Sequence, residues 1–131
     1  MVMAVTGGGI AAVAQLLQEP GASRTLLEAI VPYGSPAIDR WLGREPQSYC
    51  SEETARLLAM QAFCRSIELS ADAESSGDIK PLNIGLACTA SLASDRPKRG
   101  DHRAHIAIQT PRATHSLSLT LAKGARSRRE E

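Results

Sequence analysis

Three short stretches carry groups that could hold or attack a small molecule. The first is Thr6-Gly7-Gly8-Gly9, where a short apolar run meets three glycines and then a helix-like segment. A strand, a glycine turn and a helix N-terminus point free N–H groups and the positive end of the helix dipole at an anion. The stretch is neither the dinucleotide-binding glycine pattern nor the P-loop, and it also suits a tight turn with close helix–strand packing. The second is Cys88-Thr89-Ala90-Ser91, a thiol and two hydroxyls at the end of an apolar run. In α/β proteins ligands sit outside the carboxyl ends of strands. The loop that follows holds Ser94, Asp95, Arg96, Lys98 and Arg99, cations able to grip a phosphate or simply to face water. The third is Tyr33-Gly34-Ser35, a turn whose tyrosine suits either a ligand or the rim of the fold.

Histidines and cysteines add little chemistry. His102 and His105 are three apart on one strand, hence on opposite faces, and do not chelate one metal. His115 starts its own strand. Cys88 as a nucleophile needs a neighbour that stabilises the thiolate, and none is fixed by the sequence. No metal and no cofactor is expected. The three cysteines, Cys50, Cys64 and Cys88, show no paired spacing and read as reduced thiols of a cytoplasmic chain.

The elements that position these groups follow from periodicity and punctuation. Residues 2–6 read as a buried strand and 8–18 as a helix stopped by Pro20-Gly21. The second half of 25–31 reads as a strand ended by Pro32, followed by a helix over 36–42 that starts on proline. Ser51 is a suitable N-cap, with Glu52 and Glu53 complementing the dipole of a helix that runs to about Leu69. The polar stretch 71–80 reads as a loop, 82–89 as a central strand, and 91–101 as a long polar loop. Residues 102–109 and 114–121 form a hairpin around Thr110–Ala113. In its second strand His115, Leu117, Leu119 and Leu121 share one face.

A chain of 131 residues with 43% hydrophobic residues forms one domain with a real core. The formal charge of +1 hides an asymmetry. Residues 1–95 carry six Lys/Arg against eleven Asp/Glu, and residues 96–131 carry nine against three. Aromatic residues make up 3% and none is interleaved with the basic end, which argues against nucleic acid. No apolar run is long enough to cross a membrane.

In order along the chain, these stretches resemble the C-terminal domain of the CinA (competence/damage-inducible) family, which includes nicotinamide mononucleotide deamidases. The family's Glu-Ser-Cys-Thr-Gly-Gly strand and turn is similar to "MAVTGGGIAA". Its Pro-Gly-Ser-Ser turn resembles "EPGAS", its Val-Ala-Tyr-Ser-Asn turn "VPYGS", and its Val-Ser-Glu-Glu helix start "YCSEETARLLAM". Its Val-Thr-Gly-Ile-Ala-Gly-Pro strand end resembles "ACTASLASD", its Lys-Pro-x-Gly "RPKRGDHRAHIAI", and its late Gly-Asp-Arg is echoed by Gly124-Ala125-Arg126.

The resemblance implies a three-layer α/β/α fold with a mixed sheet, formed by residues 1–122. Residues 123–131 are then a charged tail or the start of a last helix that is missing here, which leaves an apolar strip exposed. It implies a pocket of Thr6, Gly7, Gly8, Tyr33, Ser35, Thr89, Ser91 and Arg126 for a small phosphorylated ligand of the pyridine-nucleotide class. The family's nucleophilic serine falls on Ala4, and the lysine that assists it falls on Ile38. Acyl transfer needs an activated nucleophile, which alanine and isoleucine do not supply. The expected function is therefore ligand binding without deamidation. An active nicotinamide-nucleotide amidohydrolase, with Ser35 or Cys88 substituting, and a non-catalytic interaction module are the alternatives. The expected partners are that ligand and a second copy or a longer polypeptide.

Overall fold

The computed structural model describes residues 1–75 and 82–131. Strands β1 (Val2–Thr6), β2 (Glu28–Ile30), β3 (Gly85–Ser91), β4 (His102–Gln109) and β5 (Thr114–Leu121) form one sheet in the order β2-β1-β3-β4-β5. Strands β2, β1 and β3 are parallel, and β4 and β5 are antiparallel additions. The helices are α1 (Ile10–Gln18), α2 (Ser35–Leu42) and α3 (Glu52–Ser75). Helices α2 and α3 cover one face, where Ala4, Ile38, Leu42, Ala55, Leu58, Ala59, Ala87 and Ala107 form one core cluster. Helix α1 covers part of the other, where Met3, Val5, Val13 and Cys88 form a second. The mixed three-layer sheet is thus as the sequence predicts.

Strand β1 is buried along its whole length because it is flanked by parallel neighbours and has a helix layer on each side. Helix α3 lies close to the sheet because its inward stripe is small: Ala55, Ala59, Ala62, Ser66 and Ser70 recur at helical spacing and are at most 2% exposed. The approach is so close that a Cβ on Gly85 would lie 2.0 Å from the Ala59 carbonyl oxygen, which makes glycine obligatory there.

The largest boundary differences from the sequence reading are in α3 and β3, while β3 also runs on to Ser91 and α1 and α2 start at Ile10 and Ser35. Helix α3 does not stop near Leu69 but continues to Ser75, so residues 71–75 are helix rather than loop. Its serines looked like turn formers. Instead Ser66 Oγ donates to the Phe63 carbonyl at 2.7 Å and Ser70 Oγ to the Ser66 carbonyl at 2.7 Å, bonds that the helix tolerates while the sheet holds its face. Residues 76–80 of the expected loop lie outside the described residues. Strand β3 begins at Gly85, not Leu82, which is 66% exposed.

After β5, residues 123–131 run as turns and fold back toward the glycine turn instead of forming a helix. Leu117 and Leu119 on β5 are 56% and 43% exposed, on the face that α1 leaves uncovered.

Candidate functional site

The carboxyl ends of β1 and β3 lie side by side, with Thr6 paired to Thr89. Beyond them lies a cavity of about 310 Å³. Thr6, Gly7, Tyr33, Ser35, Thr89 and Ser91 all line it, joined by Ile38, Tyr49, Cys50, Ala90 and Lys98. The structure does not bring Gly8 or Arg126 to it. Gly8 packs against Leu92 and Ala90, and Arg126 is an exposed residue of the tail.

Gly7 sits here for two physical reasons. Its φ is +74°, and a Cβ would overlap the Ala90 carbonyl oxygen at 1.8 Å. The glycine turn therefore brings β1 and β3 together as well as opening the cavity floor.

Tyr49 and Cys50 are site residues that the sequence reading does not find. They are placed by the turn before α3. Ser51 caps that helix, its Oγ accepting the Thr54 N–H at 3.1 Å, and Thr54 Oγ1 donates back to the Ser48 carbonyl at 2.5 Å. Thr89 Oγ1, 1% exposed, donates to the Tyr49 carbonyl at 2.5 Å, and the Cys50 thiol lies 3.9 Å from the Thr89 carbonyl oxygen. The only sequence signal was their position just before a well-capped helix.

The chemistry within the cavity is that of hydrogen bonding. The Tyr49 hydroxyl donates to Asp39 Oδ1 at 3.1 Å and is hydrogen-bonded by Ser35. Burial, together with the Asp39 carboxylate, pushes the Tyr49 phenol up, so it remains a proton donor and is a poor base. Lys98 Nζ reaches Ser91 Oγ at 3.4 Å and is the cation of the lining. Among the described residues, no histidine or carboxylate lines the cavity. Ala4 is wholly buried beside Ile38 in the core cluster, and Ile38 closes the cavity with hydrocarbon. Cys88 points to the opposite face, toward Gly9 and Val5, and burial raises its thiol.

A larger groove of about 560 Å³ runs along α3 past Glu52, Arg56 and Gln109. Gln109 pairs with Gly85 at the start of β3, the end opposite Thr89 and Ser91, where a parallel arrangement does not place ligands. Among the described residues, no group of three His, Cys, Asp or Glu side chains could hold a metal, and no helix is long and apolar enough to cross a membrane.

Solved structures share this architecture across nearly the whole chain. A competence/damage-inducible protein from Agrobacterium tumefaciens, CihA, superposes over 99% of this chain and 74% of its own at a TM-score of 0.68 and 21% identity. The fold is that of the CinA superfamily. A CinA superfamily protein from Escherichia coli matches over 92% of this chain and 67% of its own, at a TM-score of 0.63 and 16% identity. A competence or damage-inducible protein from Enterobacter asburiae matches over 92% and 72%, at 0.64 and 16%. No protein-family model matches the sequence, and no curated protein matches it significantly. At 16–21% identity these structures share the fold with this chain.

Proposed function

We propose that the chain is a CinA-fold domain that binds a small phosphorylated ligand of the nucleotide type and does not cleave an amide in it. One observation carries the reading: Thr6, Gly7, Tyr33, Ser35, Thr89, Ser91 and Lys98 converge on one cavity, while Ile38 lines it with hydrocarbon and Ala4 lies buried in the core cluster beside Ile38. Hydroxyls, a glycine backbone and an ammonium suit a phosphate and a ribose. Amide cleavage needs a nucleophile with a base in reach, and the hydroxyl nearest to that description, Ser35, faces a phenol held in its protonated form. The ligand class comes from the resemblance to nicotinamide mononucleotide deamidases, and the expected compartment is the cytoplasm.

The test is thermal stability against nicotinamide mononucleotide, its deamidated acid, NAD, AMP and phosphate, with ammonia followed in the same wells. A ligand that binds the native state must raise the melting temperature. A shift without ammonia supports the reading. Ammonia release supports the alternative, an active nicotinamide-nucleotide amidohydrolase. No shift and no ammonia would remove the cavity as a nucleotide site.

A second reading, an interaction module that pairs with a second copy or a larger polypeptide, is favoured by β5. Leu117 and Leu119 lie exposed on an edge strand that carries no Lys, Arg, Asp, Glu or Pro between Thr114 and Leu121. Edges left this plain invite pairing.

A further inference from the structure

A second cavity of about 390 Å³ adjoins the first, sharing Lys98, and is lined also by Ala93, Arg96, His102 and Lys123. It is rich in cations. Asp95, the acid of its lining, lies 3.8 Å from Arg96. Lys123 Nζ donates to the Lys98 carbonyl at 2.8 Å and to the Arg99 carbonyl at 3.1 Å, which ties the loop after β3 to the end of β5.

The chain's own Glu131 is already held at the edge of this cavity as an anion would be. The Glu131 side chain is fully out of solvent. One carboxylate oxygen accepts the Ala93 N–H at 2.5 Å, and the other lies 2.7 Å from Nδ1 of His102, which is itself 8% exposed. Ala93 N–H first, then His102, hold the Glu131 carboxyl below its ordinary range. Arg128 pins the same segment, donating to the Gly7 carbonyl at 2.5 Å and to the Ala93 carbonyl at 3.3 Å. A carboxylate on a buried N–H and a histidine is the geometry of a bound anion, supplied from within the chain.

We propose that this second cavity is a subsite for the distal phosphate of a diphosphate-bearing nucleotide, and that the Glu131 carboxylate holds its Ala93 and His102 donors until that phosphate replaces it. The proposal rests on the reading of the first cavity as the ligand site, and Lys98, which lines both, is the link between the two phosphates. A ligand with one phosphate fills the first cavity and leaves Glu131 in place. A ligand with two competes with Glu131 and gains the cations behind it.

Calorimetric titration of AMP and ADP-ribose into the full chain, Glu131→Ala and Lys123→Met tests this, with circular dichroism melts to confirm that each variant is folded. ADP-ribose is expected to bind about tenfold more tightly than AMP, the scale of one added charge-assisted contact. Glu131→Ala is expected to tighten ADP-ribose by roughly threefold or more and to leave AMP unchanged, since it removes a competitor of the distal phosphate only. Lys123→Met is expected to close the gap between the two ligands. AMP binding with no advantage for ADP-ribose, or a Glu131→Ala effect equal on both, would overturn the subsite and leave the first cavity standing. If neither nucleotide binds, the first reading fails and the subsite, which rests on it, is overturned with it.

Discussion

Ala4 and Ile38 pack in one core cluster, and Ile38 continues from that cluster to the wall of the cavity. They are 0% and 3% exposed. The two positions where the resemblance places a serine and a lysine are thus part of the apolar interior that joins β1 to α2.

Restoring those side chains should therefore cost stability before it gains chemistry. Ile38→Lys replaces a buried branched side chain by an unbranched stem and sets an ammonium against the core, which costs stability. Ala4→Ser adds a hydroxyl beside alanine and isoleucine, at roughly 1–3 kcal/mol if it finds no partner. Chemical denaturation of the single and double variants checks this. The double variant is expected to be markedly less stable and to release no ammonia from nicotinamide mononucleotide.

Gly7→Ala should be far more damaging than its one methyl group suggests. The φ of +74° alone costs roughly 1–3 kcal/mol for a residue with a Cβ, and the Ala90 carbonyl oxygen occupies the place of that Cβ. A lowered melting temperature together with lost ligand binding is the expected result. By contrast, a Cβ on Gly8 meets the end of the Leu92 side chain, which can turn aside, so Gly8→Ala should be milder.

Much of this arrangement was legible in the sequence. The hairpin strands 102–109 and 114–121 follow from alternation and a polar turn. The short strand 28–30 follows from Pro32, and Ser51 follows from the acidic first turn behind it. Six of the expected ligand residues converge because Thr6, Tyr33 and Thr89 all sit at the ends of parallel strands or just beyond them. What the sequence hid depends on tertiary contact. Tyr49 enters the cavity because its carbonyl is held by Thr89, 40 residues away. The tail reaches the site through Arg128 and Glu131, not through Arg126, because the turn at Gly124 reverses the chain. Helix α3 outlasted its polar composition because a sheet holds its small stripe.

The Glu131 contact should be acid-labile. Its carboxyl is held below the ordinary 4.5, so its stabilising contribution is complete above that value. It is lost as pH falls through the lower value of the folded chain, when the protonated group ceases to be a good acceptor. The Ala93 N–H first, then His102 and Arg126, favour the charged form, which sets the sign. The Ala93 amide resonance followed by NMR is expected to shift in one step below pH 4.5, and Glu131→Gln should abolish the step.

Leu117→Lys on the edge strand should suppress self-association with little effect on folding. Leu117 is 56% exposed, so the stability change is expected within about 0.5 kcal/mol. A charge on an edge strand opposes pairing with another chain. Sedimentation velocity across a range of concentrations checks this, and the variant should remain monomeric where the unaltered chain associates.

The central claim is binding without cleavage, and calorimetry of the unaltered chain with nicotinamide mononucleotide, with ammonia assayed in the recovered cell contents, tests it most directly. Saturable heat with the nucleotide recovered intact is the result this account predicts. Ammonia released in proportion to protein and time would contradict it, because a nucleophile would then be at work in a cavity that Ile38 lines with hydrocarbon and that Ala4, buried in the core, does not reach.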